Sequence, residues 1–304
     1  MSGAVGGPAA TDEIPAAPDA TAAPDSSDPL SLTLAYRARF DECGPDGTLR
    51  SAGLMRWAQD CAWIHSERLG FTRDWYAARG LWWVVRCAEL NVLGAVALGE
   101  TVSVTTTLTG YRRVWVRRRT EVTRASGERV AAVLTDWVIT NGRGAPIRVP
   151  DDFLAPLGTR VQTFTPGRVV LPPPPPGAAR EEVVVRNVDI DPMAHMNSAA
   201  YLDELEECLL AAGRADWLTR VPRRYRVEYV SAAALGERLA GETWSLGGGI
   251  AHRLLGPDGA ERMIATVDDQ TLHDDFREAV RAARPLRAPG KDAGAGQVRP
   301  VRTA

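Results

Sequence analysis

One short stretch of the chain, residues 189–201, places two carboxylates, an imidazole and an amide directly before a helical pattern. After Ser198, apolar residues recur at helical spacing, so the pattern predicts a helix capped by Asn197 or Ser198. A helix N-terminus presents unpaired N–H groups and a partial positive charge, which suits an oxyanion forming on a carbonyl. The stretch therefore predicts an active-site loop that combines a base, an imidazole and a helix dipole. Its polar members are Asp189, Asp191, His195 and Asn197.

The overall composition predicts a soluble globular protein. Of its 304 residues, 45% are hydrophobic and 24% are charged, and the net charge of −2 gives no reason to expect a nucleic-acid partner. No apolar run reaches the roughly 18 residues of a spanning helix, and the N-terminus lacks an export-signal pattern. We therefore expect a cytoplasmic location and no membrane partner.

The cysteines carry no pattern of metal or disulfide chemistry. They form no C-x-x-C pair and no cluster with histidine, which predicts free thiols, no metal and no other cofactor. The four are Cys43, Cys61, Cys87 and Cys208.

A run of prolines, Pro172–Pro176, divides the chain into two halves because it cannot continue a helix or a central strand. The ends are rich in Gly and Ala, with Pro and Asp at one end and Arg at the other, which predicts disordered tails. The expected organisation is a tail over residues 1–30, a domain over 31–165, a linker over 166–180, a second domain over 181–284 and a tail over 285–304.

The two halves resemble each other. Setting Ser51 against Ser198 gives an offset of 147 residues, which also aligns Pro45 with Pro192. Further on, residues 98–100 and 235–237 share the sequence Leu-Gly-Glu at an offset of 137. The sequence therefore predicts two diverged copies of one unit.

Each copy has the pattern of a short strand, a turn, one long amphipathic helix and several strands. The first helix is expected over residues 51–69, followed by strands over 82–90, 101–110, 111–124 and 129–140. The second copy offers strands over 223–231, 238–246, 250–255 and 260–272. One apolar helix followed by antiparallel strands predicts a sheet wrapped around that helix. We expect an α+β fold of the tandem hot-dog type.

The chain resembles the acyl-acyl-carrier-protein thioesterases over about residues 31–271. Residues 189–201 are similar to that family's D-L-D-x-N-x-H-V-N-N-x-x-Y segment, and 225–229 are similar to its Y-R-x-E-C segment. Met193 replaces the family's asparagine, and Tyr229 replaces its frequent cysteine. Around Asp191 the chain is closer to the broader 4-hydroxybenzoyl-CoA-thioesterase-like group, whose essential acid aligns with Asp191.

The resemblance implies that Asp191, His195 and Glu228 form a catalytic set that hydrolyses acyl thioesters. The implied substrate is an acyl carrier protein with a 4′-phosphopantetheine-bound acyl chain, or acyl-CoA. Asp191 or Glu228 would be the general base or, less favourably, a nucleophile. His195 would orient water or protonate the leaving thiolate, and N–H groups of residues 196–198 would face the carbonyl oxygen.

Structural roles compete with the catalytic ones. Asp191 precedes a proline and suits a turn, Asn197 suits a cap, and Glu228 suits an ion pair with Arg224 or Arg226. His195 taken alone suits a hydrogen-bonded histidine, and Asp189 is interpreted as structural. The repeat favours the catalytic interpretation. The first copy has Gly44, Thr48, Arg50 and Asn91 opposite Asp191, His195, Asn197 and Glu228.

A copy without these polar groups is free to hold the acyl chain. Its tryptophans predict an apolar pocket, lined by Trp57, Trp63, Trp82 and Trp83. A basic run alternates with Val and Trp along a strand. The first interpretation is a solvated face of that strand. The second is a docking surface for an acidic carrier protein or for the phosphates of coenzyme A. The docking residues of that second interpretation are Arg112, Arg113, Arg117 and Arg119.

Three classes of function remain open at this point. The first is a thioesterase of fatty-acid synthesis, with acyl-CoA or a polyketide-type acyl group as alternative substrates. The second is a hot-dog dehydratase, which the four-residue spacing of Asp191 and His195 disfavours. The third is a non-catalytic acyl-binding protein, which the Met193 departure supports. We expect either a pseudo-dimeric monomer or a homodimer.

Overall fold

The computed structural model describes residues 28–160 and 162–270, which form one ten-stranded antiparallel sheet with its helices. The elements of the first half are β1 (Ser31–Arg37), α1 (Ser51–Arg68), α2 (Arg73–Arg79), β2 (Leu81–Val92), β3 (Thr101–Arg112), β4 (Trp115–Thr123), β5 (Arg129–Asn141) and α3 (Asp151–Leu154). Those of the second half are β6 (Ala179–Val184), α4 (Ser198–Ala211), α5 (Asp216–Thr219), β7 (Arg223–Tyr229), β8 (Arg238–Leu246), β9 (Gly249–Leu255) and β10 (Glu261–Asp268). The predicted α+β class is confirmed.

The order of strands in the sheet shows the duplication directly. It runs β1-β3-β4-β5-β2-β7-β10-β9-β8-β6, so the second half repeats the first in reverse around the central β2–β7 pair. In that pair Glu89 lies opposite Arg226, and these positions differ by the offset of 137 found in the sequence. A pseudo-two-fold axis therefore passes between Glu89 and Arg226, and the tandem arrangement is confirmed.

The loops that precede α1 and α4 share their hydrogen bonds at the offset of 147. Gly44 N donates to Thr48 O over 2.8 Å in the first copy, and Asp191 N donates to His195 O over 2.9 Å in the second. The left-handed residue of the turn is Gly47 in one loop, with φ 74°, and Ala194 in the other, with φ 61°. The same backbone frame thus carries different side chains in the two copies.

The two long helices pack against one face of the sheet and share a single core. The apolar faces of α1 and α4 meet the inward residues of the central strands, as amphipathic spacing requires. Representative fully buried members are Leu54, Cys61, Leu205, Leu209 and Tyr225. A second cluster around Phe71, Tyr76 and Phe153 packs α2 and α3 against β2, β4 and β5. This second cluster widens the first copy beyond the basic hot-dog unit.

The structure adjusts several predicted boundaries. Leu30, placed in the tail by the sequence analysis, is buried and its carbonyl accepts from Leu108 N over 2.8 Å. Strand β6 begins at Ala179, inside the predicted linker, and the helices α2 and α3 were not predicted. The remaining tail predictions, residues 1–27 and 285–304, lie outside the described residues. Within the described part of the chain, no helix is long and apolar enough to cross a membrane.

His252 makes folding stability depend on pH. Its side chain is completely buried on β9, with Nδ1 hydrogen-bonded to Thr243 Oγ1 over 2.9 Å, and burial lowers its pKa from 6.5 to about 3. The unfolded chain therefore binds the extra proton as pH falls below about 6.5, so the free energy of unfolding decreases towards acid pH. We expect urea denaturation to show a loss on the order of 2 kcal/mol from this residue by about pH 5.

The variant His252→Gln separates this contribution from other acid effects. It removes the titrating ring but retains a hydrogen-bonding side chain, so its stability should fall less steeply between about pH 6.5 and 5 than that of the unsubstituted protein. Parallel stability curves for the two proteins would refute the assignment.

Candidate active site

A cavity of about 680 Å³ lies between α1, the strands of the first half and the loop that precedes α4. Its wall from the first copy includes Gln59 on α1 and Trp83 on β2, and its wall from the second copy includes Asp191 and Asn197. A cavity of this size accommodates a small ligand or an acyl chain. The two copies thus contribute different walls to one site.

Asp191 lines this cavity, and one of its carboxylate oxygens has no hydrogen-bond donor among the described residues. Oδ1 accepts from Met193 N over 2.8 Å, which closes the turn and fixes the side chain. Among the described residues none donates to Oδ2, and the half-buried side chain lines the cavity. Asp191 therefore has both the turn role and a free acceptor oxygen at the site.

The backbone donors at the start of α4 differ from those expected. Met196 N donates to Ala233 O over 3.0 Å and Asn197 N donates to Asp189 O over 2.7 Å, so these two groups are already paired. No described carbonyl accepts from Ser198 N or Ala200 N. Asn197 caps the helix through a 2.8 Å bond from Ala199 N to its Oδ1, which confirms the predicted cap. The donors left for an oxyanion are Ser198 N–H and Ala200 N–H.

Side chains from both copies fix the first turn of α4. Gln59 Nε2 donates to Ser198 Oγ, and the Tyr229 hydroxyl donates to Ser198 O over 2.9 Å. Tyr201 OH accepts from Ala233 N over 3.0 Å, which ties the helix to the chain after β7. These contacts hold the helix N-terminus rigidly against the cavity wall.

His195 does not enter the cavity. Its side chain is exposed, it is absent from the cavity wall, and its ring has no hydrogen bond to the described residues. The backbone carbonyl of His195 accepts from Asp191 N, so this residue shapes the turn while its imidazole points away. The structure therefore does not place the His195 imidazole in the cavity wall with Asp191, and a catalytic role for His195 stays a prediction.

Glu228 lies on the opposite face of the sheet. Its neighbours Val227 and Tyr229 belong to the core on the helix face, and alternate residues of a strand point to opposite faces. Glu228 Oε2 accepts from Val169 N over 3.0 Å, and Arg168 lies 3.6 Å from Oε1. The segment after α3 therefore covers this carboxylate. The structure does not bring Glu228 to the site of Asp191, because the sheet separates them.

Asp189 has the structural role predicted for it. It is buried, and both of its oxygens accept from Arg186, over 2.9 Å from Nη2 and 2.7 Å from the backbone N. Arg186 also pairs with Glu204 on α4. This network anchors the loop to the helix and leaves Asp189 no free oxygen for chemistry.

The predicted aromatic pocket is present, with a different set of members. Trp63, Trp82 and Trp83 line the cavity, whereas Trp57 does not, because it packs against Tyr36 and donates to Glu42 Oε1 over 3.2 Å. The sequence analysis missed three aromatic residues that complete the wall, Tyr76, Trp137 and Phe153. Two of these belong to the unpredicted helices α2 and α3, which is why helical spacing in the long helix did not reveal them.

The basic run on β4 is divided between the two faces of the sheet. Arg117 is held by Asp136 through bonds of 2.6 and 2.8 Å and is covered by Phe164. Arg119 pairs with Glu121, and Arg112 and Arg113 are exposed. Arg118 is buried on the helix face and lines the cavity. The expectation of one solvated or docking stripe is therefore wrong for Arg117, and the sequence analysis gave Arg118 no separate role.

The described residues contain no cluster of three or more His, Cys, Asp or Glu side chains that is suited to a metal ion. The groups of the cavity wall that could take part in chemistry include Asp191, residues of the first turn of α4 and the other polar side chains.

This chain resembles one protein-family model in sequence and several solved structures in fold. Residues 30–157 match the family model of the acyl-ACP thioesterase N-terminal domain. No curated protein sequence matches the chain.

Three solved structures share the whole fold. A candidate oleoyl thioesterase from Lactobacillus plantarum has a TM-score of 0.69 at 21% identity, covering 78% of this chain and 94% of that one. An acyl-ACP thioesterase from Bacteroides thetaiotaomicron has a TM-score of 0.65 at 17% identity, covering 78% and 96%. The 12:0-ACP thioesterase from Umbellularia californica has a TM-score of 0.66 at 20% identity, covering 78% and 96%. Because the sequence identities are this low, the similarity to these three structures shows a shared fold.

Proposed function

We propose that this chain, whose first half belongs to the acyl-ACP thioesterase family, hydrolyses the thioester of an acyl group carried on an acyl carrier protein. The observation that carries the proposal is that Asp191, whose Oδ2 accepts no hydrogen bond from the described residues, lines the same cavity as Ala200 in the first turn of α4. Thioester hydrolysis needs a base for water and donors for the oxyanion, and these two features supply both.

The reaction follows from those groups. A water held by Asp191 Oδ2 gives up its proton to the carboxylate as its oxygen attacks the thioester carbon. The carbonyl oxygen becomes an oxyanion that accepts from Ser198 N–H and Ala200 N–H, at the positive end of the α4 dipole. The tetrahedral intermediate then breaks its carbon–sulfur bond, and the leaving thiolate takes the proton back from Asp191. The products are a free acid and the carrier thiol.

His195 and Glu228 have smaller roles in this scheme than the motif resemblance implies. Because its imidazole is exposed, His195 acts through its backbone, which accepts from Asp191 N and holds the turn. Glu228 anchors the segment after α3 to the outer face of the sheet. We therefore assign proton transfer to Asp191 alone.

The first copy supplies the acyl-binding wall. Trp63, Trp82, Trp83 and Trp137 give the cavity its apolar surface, which supports binding of a hydrocarbon chain. The exposed Arg112 and Arg113, on the β3–β4 hairpin, are the part of the basic run still suited to an acidic carrier protein. Acyl-CoA presents the same pantetheine thioester and is the nearest alternative substrate.

Fatty-acid synthesis in the cytoplasm is the setting that we propose. The four cysteines are free in the structure, and each is buried, which agrees with a reducing compartment. A polyketide-type acyl group is the second possible source of substrate, since the wall contains polar as well as aromatic residues.

Release of thiol from a panel of acyl thioesters tests the proposed function. We expect the purified full chain to release the carrier thiol from acyl carrier proteins, and more slowly from the matching acyl-CoA species, with free acid formed in equal amount. A matched 3-hydroxyacyl substrate checks for dehydration by the appearance of an enoyl product. Acyl binding without thiol release from any member of the panel would favour a non-catalytic acyl-binding protein.

A further inference from the structure

Arg118 is a buried cation with no carboxylate partner in the described residues. Its side chain is 6% exposed, and desolvation lowers its pKa to about 10, which still leaves it charged at neutral pH. Removing a guanidinium from water costs several kcal/mol unless an anion or several acceptors replace the water. Arginine is rarely so buried without a pair.

The hydrogen bonding of Arg118 is incomplete. Nη1 donates to His65 Nδ1 over 2.8 Å, and His65 Nε2 donates to the carbonyl of Pro29 over 3.1 Å. The carbonyl can only accept, so His65 carries its proton on Nε2 and is neutral, in agreement with a pKa lowered by burial to about 4. A neutral ring orients the guanidinium without cancelling its charge. The remaining donors of Arg118 have no acceptor in the described part of the chain, and Arg118 belongs to the cavity wall.

The hot-dog unit itself does not require an arginine at this position. The β4–β5 and β9–β10 turns match at Gly127 and Gly259, and the offset of 132 between them places Ile250 where Arg118 stands. The strand pairing agrees with this alignment. Arg118 lies opposite Thr135 and Ile250 lies opposite Val267, and these two partner residues are also separated by the offset of 132. Ile250 is buried in the core. Because the second copy packs an isoleucine at this position, packing alone does not explain the buried cation at the same position of the first copy.

Arg118 lies at the end of the cavity away from the chemistry. Gln59, beside the N-terminus of α4, and Ser66, next to the Arg118 partner His65, both line the cavity along α1. Seven residues of helix separate them, which is about 10 Å. Ser66 Oγ bonds to Tyr76 OH over 2.7 Å, and Tyr76 OH also accepts from Trp83 Nε1 over 2.9 Å. The end of the cavity at Arg118 thus combines aromatic side chains with polar groups and a buried positive charge.

We propose that Arg118 selects acyl groups with an oxygen-bearing group in the distal part of the chain, above all a terminal carboxylate. A carboxylate there accepts from the unused guanidinium donors, and the pairing restores the solvation that Arg118 lost on burial. The aliphatic segment between the thioester and the carboxylate packs against the tryptophans. This substrate class rests on the proposed thioesterase function, because the acyl group must enter the same cavity.

Hydrolysis rates on paired substrates test the proposal. Half-thioesters of straight-chain dicarboxylic acids are compared with monocarboxylic acyl thioesters of equal length, over a range of lengths. We expect kcat/KM to favour the carboxylated acyl group by at least about tenfold at the best length, with a hydroxylated or keto acyl group in between. The variant Arg118→Met should abolish this preference and hydrolyse the unsubstituted chain at least as well. The variant Arg118→Lys, which retains the charge, should preserve part of the preference.

A matched control and a binding measurement complete the test. Arg68→Met removes an exposed cation of α1 that lies outside the cavity wall and should leave the preference unchanged. Isothermal calorimetry with the free dicarboxylic and monocarboxylic acids should show the same order of affinity without any turnover. Equal rates and equal affinities for the two acids in the unsubstituted protein would overturn the role of Arg118 even if Arg118→Met does not fold. Absence of hydrolysis with retained preference in binding would instead contradict the proposed function alone.

Discussion

Replacement of Asp191 by Asn is expected to lower kcat for acyl thioester hydrolysis by about 10² to 10⁴-fold while leaving the fold intact. The amide oxygen still accepts from Met193 N, so the turn that Asp191 closes is preserved. What the variant loses is the free carboxylate oxygen at the cavity, and an amide has no comparable basicity towards water. Single-turnover hydrolysis of a carrier-bound acyl group measures the chemical step directly.

The first copy provides a matched control for Asp191→Asn. Asp46 accepts from Thr48 N over 3.0 Å in the equivalent loop, yet it lies outside the cavity wall. Asp46→Asn should retain turnover and circular dichroism like those of the unsubstituted protein. Glu228→Gln, on the outer face, should change kcat by less than about threefold, well below the usual contribution of a general base. A large loss in Glu228→Gln with full activity in Asp191→Asn would reverse the assignment of the base.

Replacement of Arg117 by Ala is expected to lower the free energy of unfolding by about 3 kcal/mol. Arg117 and Asp136 form a pair through two hydrogen bonds, and their side chains are 19% and 3% exposed. Without the guanidinium, Asp136 remains buried, and among the residues that the structure describes only Gly167 N still donates to it, over 2.7 Å. Urea denaturation at neutral pH measures this loss, which arises from the stranded carboxylate.

Arg119→Ala is the control for the loss of a cation from the same face of β4. Its partner Glu121 is 35% exposed, so this pair should contribute less than about 1 kcal/mol. With both proteins folded, neither substitution should alter KM for a carrier-bound substrate by more than about twofold, since Arg117 is committed to Asp136. A raised KM in Arg117→Ala without loss of stability would restore the docking role predicted from the basic run.

The conformation of the loop before α4 was predictable because local patterns determine it. The cap at Asn197 and the structural role of Asp189 follow from residues within a few positions of each other, and the offset of 147 follows from comparing two such local patterns. Short-range hydrogen bonds of a turn and the amphipathic spacing of a helix leave a direct trace in the sequence. Asp191, which the loop pattern singled out, is among the residues that line the cavity.

The motif resemblance did not determine which face of the sheet each residue occupies. Tyr225, Val227 and Tyr229 alternate as an inward series, which assigns Glu228 to the other face. The same alternation along β4, where Val116 and Val122 are buried, assigns Arg118 to the interior. These signals are present in the sequence, but they become decisive only when the register and the helix face are known.

The remaining cavity wall depends on how distant elements meet. Phe153 reaches the cavity because α3 packs against β2, where its ring lies 5.2 Å from that of Trp83. The cover over Glu228 and Arg117 comes from a proline-rich segment with no regular structure, in which Phe164 and Val169 make the contacts. Neither contact has a periodic pattern, so spacing in the sequence carries no information about them.

The pair at the centre of the sheet is one that two identical copies of the unit could not form. In a homodimer of a single hot-dog unit, a residue beside the two-fold axis meets its own duplicate, so an ionised side chain there is repelled by an identical one. Gene fusion removes that constraint, and here Glu89 lies 3.4 Å from Arg226. Once the two sites carry opposite charges, neither half can return to self-pairing without placing like charges together. The charge pair thus favours the arrangement in which both copies lie on one chain and the two equivalent positions carry different residues.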